Sequence, residues 1–289
     1  MCSQSLAGRC DFMAFADCVF INNCKHILQK GIWQKESNLF WPNGDNVNTL
    51  NCFGIINRYD LSKEFPILTI KKTNLSMAID EILWIWQKKS NNVFDLKGKF
   101  WNNMADSSGS IGKAYGYQLG IKDKYLEGEF DQVDRLLYEL KNNPSSRRMI
   151  ANMYNHKDLY ESNIYPCAYS LTLSVENGKL NGILNQRSQE MLCANNWNVC
   201  EYAVLIMMFA YSCDLEPGEL LHVISTAIIY DKHVSILNSI INLKPYPAPQ
   251  MIVEKKNDFY QYKNTDFKLK NYLFHDYEGK IIIPERRNE

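Results

Sequence analysis

Interleaved helical and strand signals along one uninterrupted chain predict an α+β fold: a single domain in which a mixed β-sheet is flanked by helices. Three observations lead there. Val199 to Cys213 is apolar nearly all round, as a central buried helix must be. Glu176-Asn177-Gly178 separates two strand-like runs, and Asn-Gly accepts the left-handed turn of a tight hairpin. No repeat, Gly/Ser linker or charge block divides the chain. The expected layout is an N-terminal extension over residues 1–16 and one domain over 17–289.

In order, Asp17 to Lys30 carries apolar residues at helical spacing (Val19, Ile21, Ile27, Leu28). Trp33 to Asn48, rich in Trp, Asn, Pro and Gly, reads as a loop. Thr49 to Ile56 and Ile67 to Lys71 read as strands, split by the polar segment Asn57 to Glu64. Ser76 to Gln87 is a helix with Ala78, Ile79, Ile82, Leu83 and Trp86 on its apolar side. Asp131 to Leu140 is another, stopped by Asn142-Asn143-Pro144. Met149 to Tyr154, Tyr169 to Val175, Lys179 to Asn185, Glu219 to Ile224 and Met251 to Val253 complete the strands.

The 289 residues, 46% hydrophobic and 22% charged, have the composition of a folded globular protein rather than a disordered or fibrous one. Lys+Arg and Asp+Glu balance at 32 each, so no net field draws nucleic acid or acidic membrane. The longest apolar stretch, Ala203 to Tyr211, is too short to span a bilayer. The N-terminus lacks the basic-then-apolar order of a secretory signal, and a cytoplasmic location is expected. Nine cysteines, scattered without paired metal-binding spacing, read as reduced thiols with no metal site.

Three short stretches carry chemistry. Tyr165-Pro166-Cys167 puts a thiol on a proline turn ahead of a strand; it is either a small core residue or a nucleophile whose thiolate a nearby guanidinium favours. Asn143-Pro144-Ser145-Ser146-Arg147-Arg148 offers charged forks and hydroxyls to a phosphate, or is a solvated turn. Asn185-Gln186-Arg187-Ser188-Gln189-Glu190, followed by Asn195-Asn196-Trp197-Asn198, is too polar to satisfy inside a core. It suits the wall of a polar pocket, with a solvated loop as the alternative.

Taken together and in this order, these stretches resemble the thymidylate synthase family. The resemblance extends over Phe65-Pro66-Ile67-Leu68-Thr69-Ile70-Lys71-Lys72, Glu81 to Gln87, Gly109 to Gly116, Asp131 to Asp134, Asp258-Phe259-Tyr260 and Asp266-Phe267. It covers roughly Asp17 to Lys280. It implies sheets packed back to back in a homodimer, and transfer of a one-carbon unit from 5,10-methylenetetrahydrofolate to C5 of a pyrimidine nucleotide monophosphate. Because C5 is a poor nucleophile, a thiolate first attacks C6 and makes the ring an enolate.

Residue by residue, the resemblance implies that Cys167 is that nucleophile. Arg187 would activate it and contact the phosphate, Ser188 would be another phosphate ligand, and Gln186 would belong to the substrate site. Arg147 and Arg148 would reach the phosphate from the second subunit. Asn198 would read N3 and O4 of uracil, where a cytosine-specific hydroxymethylase typically has Asp. Glu81 would be the acid/base carboxylate, and Tyr115 would assist removal of the C5 proton. Tyr230 would hold the sugar 3′-hydroxyl. Trp101, Glu190 and Ala194 would line the folate side, Glu190 standing for the usual Asp and Ala194 for a frequent Gly.

The chain also departs from the family pattern. Ile228 stands where a histidine normally binds the sugar. No arginine lies near Ser37 and Asn38, although Lys35 offers a point charge. The C-terminus, Ile283 to Glu289, is charged where the family closes with a short apolar tail. The expected activity is therefore methylation of dUMP. One alternative is a pyrimidine nucleotide 5-hydroxymethylase, or a modifier of an unusual uridine nucleotide, in which water quenches the intermediate. A third is a non-catalytic nucleotide- or RNA-binding relative, which would have no need for both Cys167 and Glu81.

Overall fold

A computed structural model describes residues 13–277 and 279–286. Most of the extension expected over residues 1–16, with Cys2 and Cys10, lies outside the described residues, as do residues 287–289 of the charged tail. Among the described cysteines, Cys24, Cys52, Cys167, Cys193, Cys200 and Cys213 are free thiols.

The helices are α1 (Phe15–Lys30), α2 (Leu75–Ile82), α3 (Gly116–Leu119), α4 (Gln132–Asn142), α5 (Asn195–Ser212) and α6 (Val234–Ile240). The strands are β1 (Ile32–Phe40), β2 (Asn46–Asp60), β3 (Asp123–Tyr125), β4 (Gly128–Phe130), β5 (Ile150–Asn152), β6 (Ala168–Glu176), β7 (Lys179–Gln186), β8 (Gln189–Glu190), β9 (Glu216–Tyr230), β10 (Gln250–Val253), β11 (Phe267–Lys270) and β12 (Glu285–Arg286). The main sheet runs β12-β1-β2-β9-β7-β6-β5, with β8 beside the end of β9. Both β7 and β8 pair parallel with β9 while the other neighbours are antiparallel, so the sheet is mixed as predicted.

The expected central helix is α5. Val199 through Ala210 are all buried, and the helix packs on α2, β7 and β9. Gly182 on β7 exists for that contact, because a Cβ there would meet the Ile206 side chain at 2.6 Å. The Asn177-Gly178 turn takes the left-handed conformation at both positions (φ 50° and 74°), which fixes the β6–β7 register. Buried positions on β2 include Leu50 and Cys52, then shift parity to Ile55, Asn57 and Tyr59 across Gly54 (φ 76°). On β9 the same shift falls at Ser225 and Thr226, beside it in the sheet. Such stacked irregularities bend a sheet and re-aim its side chains.

Five sequence expectations change. The loop expected over Trp33 to Asn48 is largely strand β1, hidden because most of its side chains on both faces meet solvent and no apolar alternation marks it. The strand at Thr49 to Ile56 continues to Asp60, and Glu219 to Ile224 is the middle of the 15-residue β9. Ile67 to Lys71 is not a strand, for its backbone is satisfied otherwise. The Asp17 carboxylate accepts from the N–H groups of Thr69 and Ile70, and the Asn196 amide accepts from Leu68 N–H and donates to Pro66 O. Finally, the helix expected over Ser76 to Gln87 is α-helical only to Ile82, then widens into a π-turn at Leu83–Gln87 that buries both Trp84 and Trp86.

Candidate active site

The β6–β7 hairpin assembles the first part of the site. Ala168 pairs with Gln186 across the hairpin, so Cys167 just before β6 lies opposite Arg187 just after β7. Arg187 N–H donates to Cys167 O at 3.0 Å. Its guanidinium donates to Tyr165 O (2.8 Å) and Pro166 O (3.1 Å) and reaches Cys167 Sγ at 3.6 Å. The arginine is thus clamped by the turn that carries the thiol, and a fixed positive charge sits on the sulfur. Ser188 follows, half-buried, in the link to β8.

Tyr115 closes the opposite side. Its hydroxyl accepts from Cys167 N–H at 2.9 Å, and its ring meets Trp101 edge-on at 5.2 Å. The residue holds φ 49° and ψ −110°, a strained conformation for a side chain with a Cβ. Burial and the neighbouring Cys167 push its phenol well above the usual tyrosine range.

Glu81 comes from α2 and is 6% exposed. Burial raises its carboxyl to about 7, opposed by the nearby Trp101, Glu201 and Trp197 side chains. The Trp101 indole N–H stands close enough to favour the Glu81 anion without meeting ordinary hydrogen-bond geometry. A buried carboxyl poised near neutrality can both give and take a proton.

Asn198, in the first turn of α5, is held at both ends. Gln186 Nε2 donates to its Oδ1 at 3.2 Å, and its Nδ2 donates to Glu201 Oε2 at 2.8 Å. Gln186 is itself 1% exposed, with its Oε1 facing His222 Nε2. Burial lowers His222 to about 3, so the imidazole is neutral and donates from Nε2. Gln186, expected at the substrate, donates to the Asn198 amide. Glu201 and His222 were not singled out from the sequence. A carboxylate within the apolar run of α5, one turn beyond Asn198, was the signal available for the first; His222 carried none.

On the expected folate side, Ala194 precedes α5 and Trp101 is buried. Glu190 Oε1 accepts from Leu192 N–H (3.0 Å) and His233 Nδ1 (3.0 Å), and Oε2 from Cys193 N–H (2.6 Å). His233 Nε2 reaches the carbonyl of Ile282, tying the C-terminal segment to the same cluster. Glu190, Cys193 and His233 bring possible metal ligands within 4.8 Å of one another, but the carboxylate and both ring nitrogens are already engaged.

The sugar and phosphate side is more open. Tyr230 lies edge-on to Trp41 and His233. Ile228, half-buried, is the cross-strand partner of Asn51, whose buried Oδ1 has no donor. Arg147 and Arg148 are exposed on the turn before β5. Lys35 lines an open cleft with Trp33, Gln34, Asn48 and Asp231. No helix among the described residues is long and apolar enough to cross a membrane.

Comparison with known proteins agrees with this arrangement. The family model described as thymidylate synthase matches residues 19–281. A thymidylate synthase of Bacillus subtilis subsp. natto is 40% identical over 260 residues, covering 87% of this chain and 93% of its own length. Thymidylate synthase 1 of Bacillus amyloliquefaciens is 41% identical over 220 residues, covering 74% and 96%. The solved structure of thermostable thymidylate synthase A from Bacillus subtilis superposes with a TM-score of 0.89 at 36% identity, covering 93% of this chain and 99% of that one.

Proposed function

This chain belongs to the thymidylate synthase family, and from that premise we infer that it methylates dUMP at C5 through a covalent Cys167 adduct. The observation that carries the reading is the clamp of Arg187 on Cys167, with Tyr115 behind it. Thiolate attack at C6 needs a sulfur that tolerates negative charge, and the guanidinium supplies the opposite charge there. Asn198 then offers one amide N–H to O4 and one carbonyl lone pair to N3–H, the uracil pattern. Glu81 relays the proton that O4 takes up and gives back as the enolate forms. Tyr115, kept neutral by burial, stands beside the sulfur where loss of the C5 proton must be assisted.

The co-substrate 5,10-methylenetetrahydrofolate, when bound, supplies the one-carbon unit and the reducing hydride. The residues present fit its pterin. Trp101 gives an aromatic wall, and Glu190 retains acceptor capacity on Oε2 after its three hydrogen bonds. The C-terminal segment is strapped by His233 to Ile282 and by β12 pairing with β1, which supports exclusion of water and a methyl over a hydroxymethyl product.

The sheet's outer face supports a homodimer packed back to back. Ile150, Thr172, Ile183, Leu221 and Arg58 are successive cross-strand partners, so they form one row opposite α5. Ile150 and Ile183 are exposed, as are Phe53 and Ile56. Arg147 and Arg148, exposed beside this face, then serve the partner's phosphate site. Tritium at C5 of dUMP tests the chemistry. Release to water should require methylenetetrahydrofolate and vanish in Cys167→Ala; release that persists in the variant overturns the covalent route.

A further inference from the structure

We propose that Glu201 is a positioning residue for the pyrimidine chemistry, sharing one proton with Glu81 while its other oxygen sets the Asn198 amide in the uracil-reading orientation. The proposal rests on the roles of Glu81 and Asn198 given above. Glu201 lies three residues after Asn198, one turn along the same face of α5, and is 2% exposed. A carboxyl buried to that degree is costly unless it is paired. Oε2 has its donor in Asn198 Nδ2 at 2.8 Å. Oε1 is buried without a donor, and the neighbour facing the Glu201 carboxyl is the carboxyl of Glu81. Two anionic carboxylates in contact inside a core repel; one proton between them turns repulsion into a hydrogen bond and satisfies the orphan oxygen.

The surroundings keep one proton on the pair. Burial raises both carboxyls, and the charge of Glu81 raises Glu201 further. Trp101 and Trp197 favour the anion at Glu81, whereas Trp197 and Asn198 do so at Glu201. The neighbouring thiol, phenol and imidazole stay neutral through the range in which the pair changes. On α5, the Cys200 thiol and Tyr202 phenol are pushed up by burial and by Glu201 itself, with the charge of Lys71 felt at Cys200. From the sheet, His222 is held neutral behind Gln186.

Glu201 also completes a directional chain. His222 donates to Gln186, Gln186 to Asn198 Oδ1, and Asn198 Nδ2 to Glu201. Flipping the Asn198 amide would set donor against donor at one end and acceptor against acceptor at the other. Removing Glu201 frees one end of that lock.

Two substitutions separate proton sharing from packing. The Gln side chain of Glu201→Gln can accept from Asn198 and donate to Glu81 but cannot titrate. Glu201→Leu can do neither. For Glu201→Gln we expect kcat lowered about fivefold, with its alkaline decline moved up by roughly one pH unit or more and the preference for dUMP over dCMP retained. For Glu201→Leu we expect kcat down about 100-fold, KM for dUMP within roughly threefold, and the base preference reduced at least about tenfold. Infrared difference spectra of the wild type minus Glu201→Gln at neutral pH should contain a protonated-carboxyl band. Absence of that band, or pH profiles and base preferences identical in all three proteins, overturns the proposal. If the wild type converts no dUMP at any pH, the functional reading fails instead, and the band alone decides the shared proton.

Discussion

The side of the site proposed to read the base and the side proposed to read the phosphate are constructed differently. Around Asn198 the polar groups form a continuous buried chain from His222 through Gln186 to Glu201 and Glu81, all from one protomer. Around the expected phosphate, Arg187 is clamped by the thiol turn while Arg147 and Arg148 stand exposed on a turn beside an apolar sheet face. Between the two, the expected sugar position has Ile228 beside an Asn51 oxygen without a donor. A preorganised buried network confers selectivity, because a wrong partner leaves a desolvated group unpaired. An exposed cation supplies attraction and becomes specific only when something else fixes it. Base choice should therefore be a property of the single chain, and phosphate binding a property of the assembly.

The sharpest break in that division is at the reacting atom both sides serve. Cys167→Ala should lower turnover by about 1000-fold or more while nucleotide binding changes only a few-fold, since the pocket keeps every other contact. Turnover and calorimetric binding on the same preparation check this, and undiminished turnover contradicts it. The assembly half of the comparison comes next. Arg148→Ala and Cys167→Ala homodimers should each be nearly inactive. Random mixing of their subunits should restore about a quarter of wild-type activity, because half the dimers gain one intact site of two. No recovery in a verified heterodimer would place the arginines outside the shared site.

Base choice tests the single-chain half. Asn198→Asp removes the donor aimed at O4 and should shift the dUMP-to-dCMP ratio of kcat/KM by about 10–100-fold toward cytosine. Unchanged discrimination would mean that the base is read elsewhere. The smallest effect is expected at the sugar. Ile228→His places an imidazole opposite the orphan Asn51 Oδ1, leaving its second nitrogen for a sugar hydroxyl. The KM for dUMP should fall about 2–10-fold, the worth of one hydrogen bond. A rise would show that the apolar side chain serves a packing or sugar preference of its own.

The two sides also differed in how far the sequence revealed them. Cys167, Arg187 and Asn198 stand in short contiguous motifs whose order is itself the signal, and the hairpin turn that aligns the first two has an unambiguous dipeptide. Helix α5 announced itself through unbroken apolarity. Strand β1 did not, because a strand solvated on both faces carries no alternation. Ile67 to Lys71 misled for a different reason. Its apolar residues are buried as in a strand, but its backbone partners are side chains of Asp17 and Asn196, distant in sequence. The coupling of Glu201 to Glu81 is of the same kind, for α2 and α5 meet only once the chain is folded.

The central claim is that this pocket adds a methyl group to C5 of uracil in dUMP. Incubating the protein with methylenetetrahydrofolate and each of dUMP, UMP, dCMP and CMP, then weighing the nucleotide products, tests it most directly. The predicted result is a dUMP product heavier by one CH2 unit, formed together with dihydrofolate and much faster than any product from the cytidine nucleotides. A product heavier by a hydroxymethyl increment, or preferential conversion of dCMP or CMP, would contradict it.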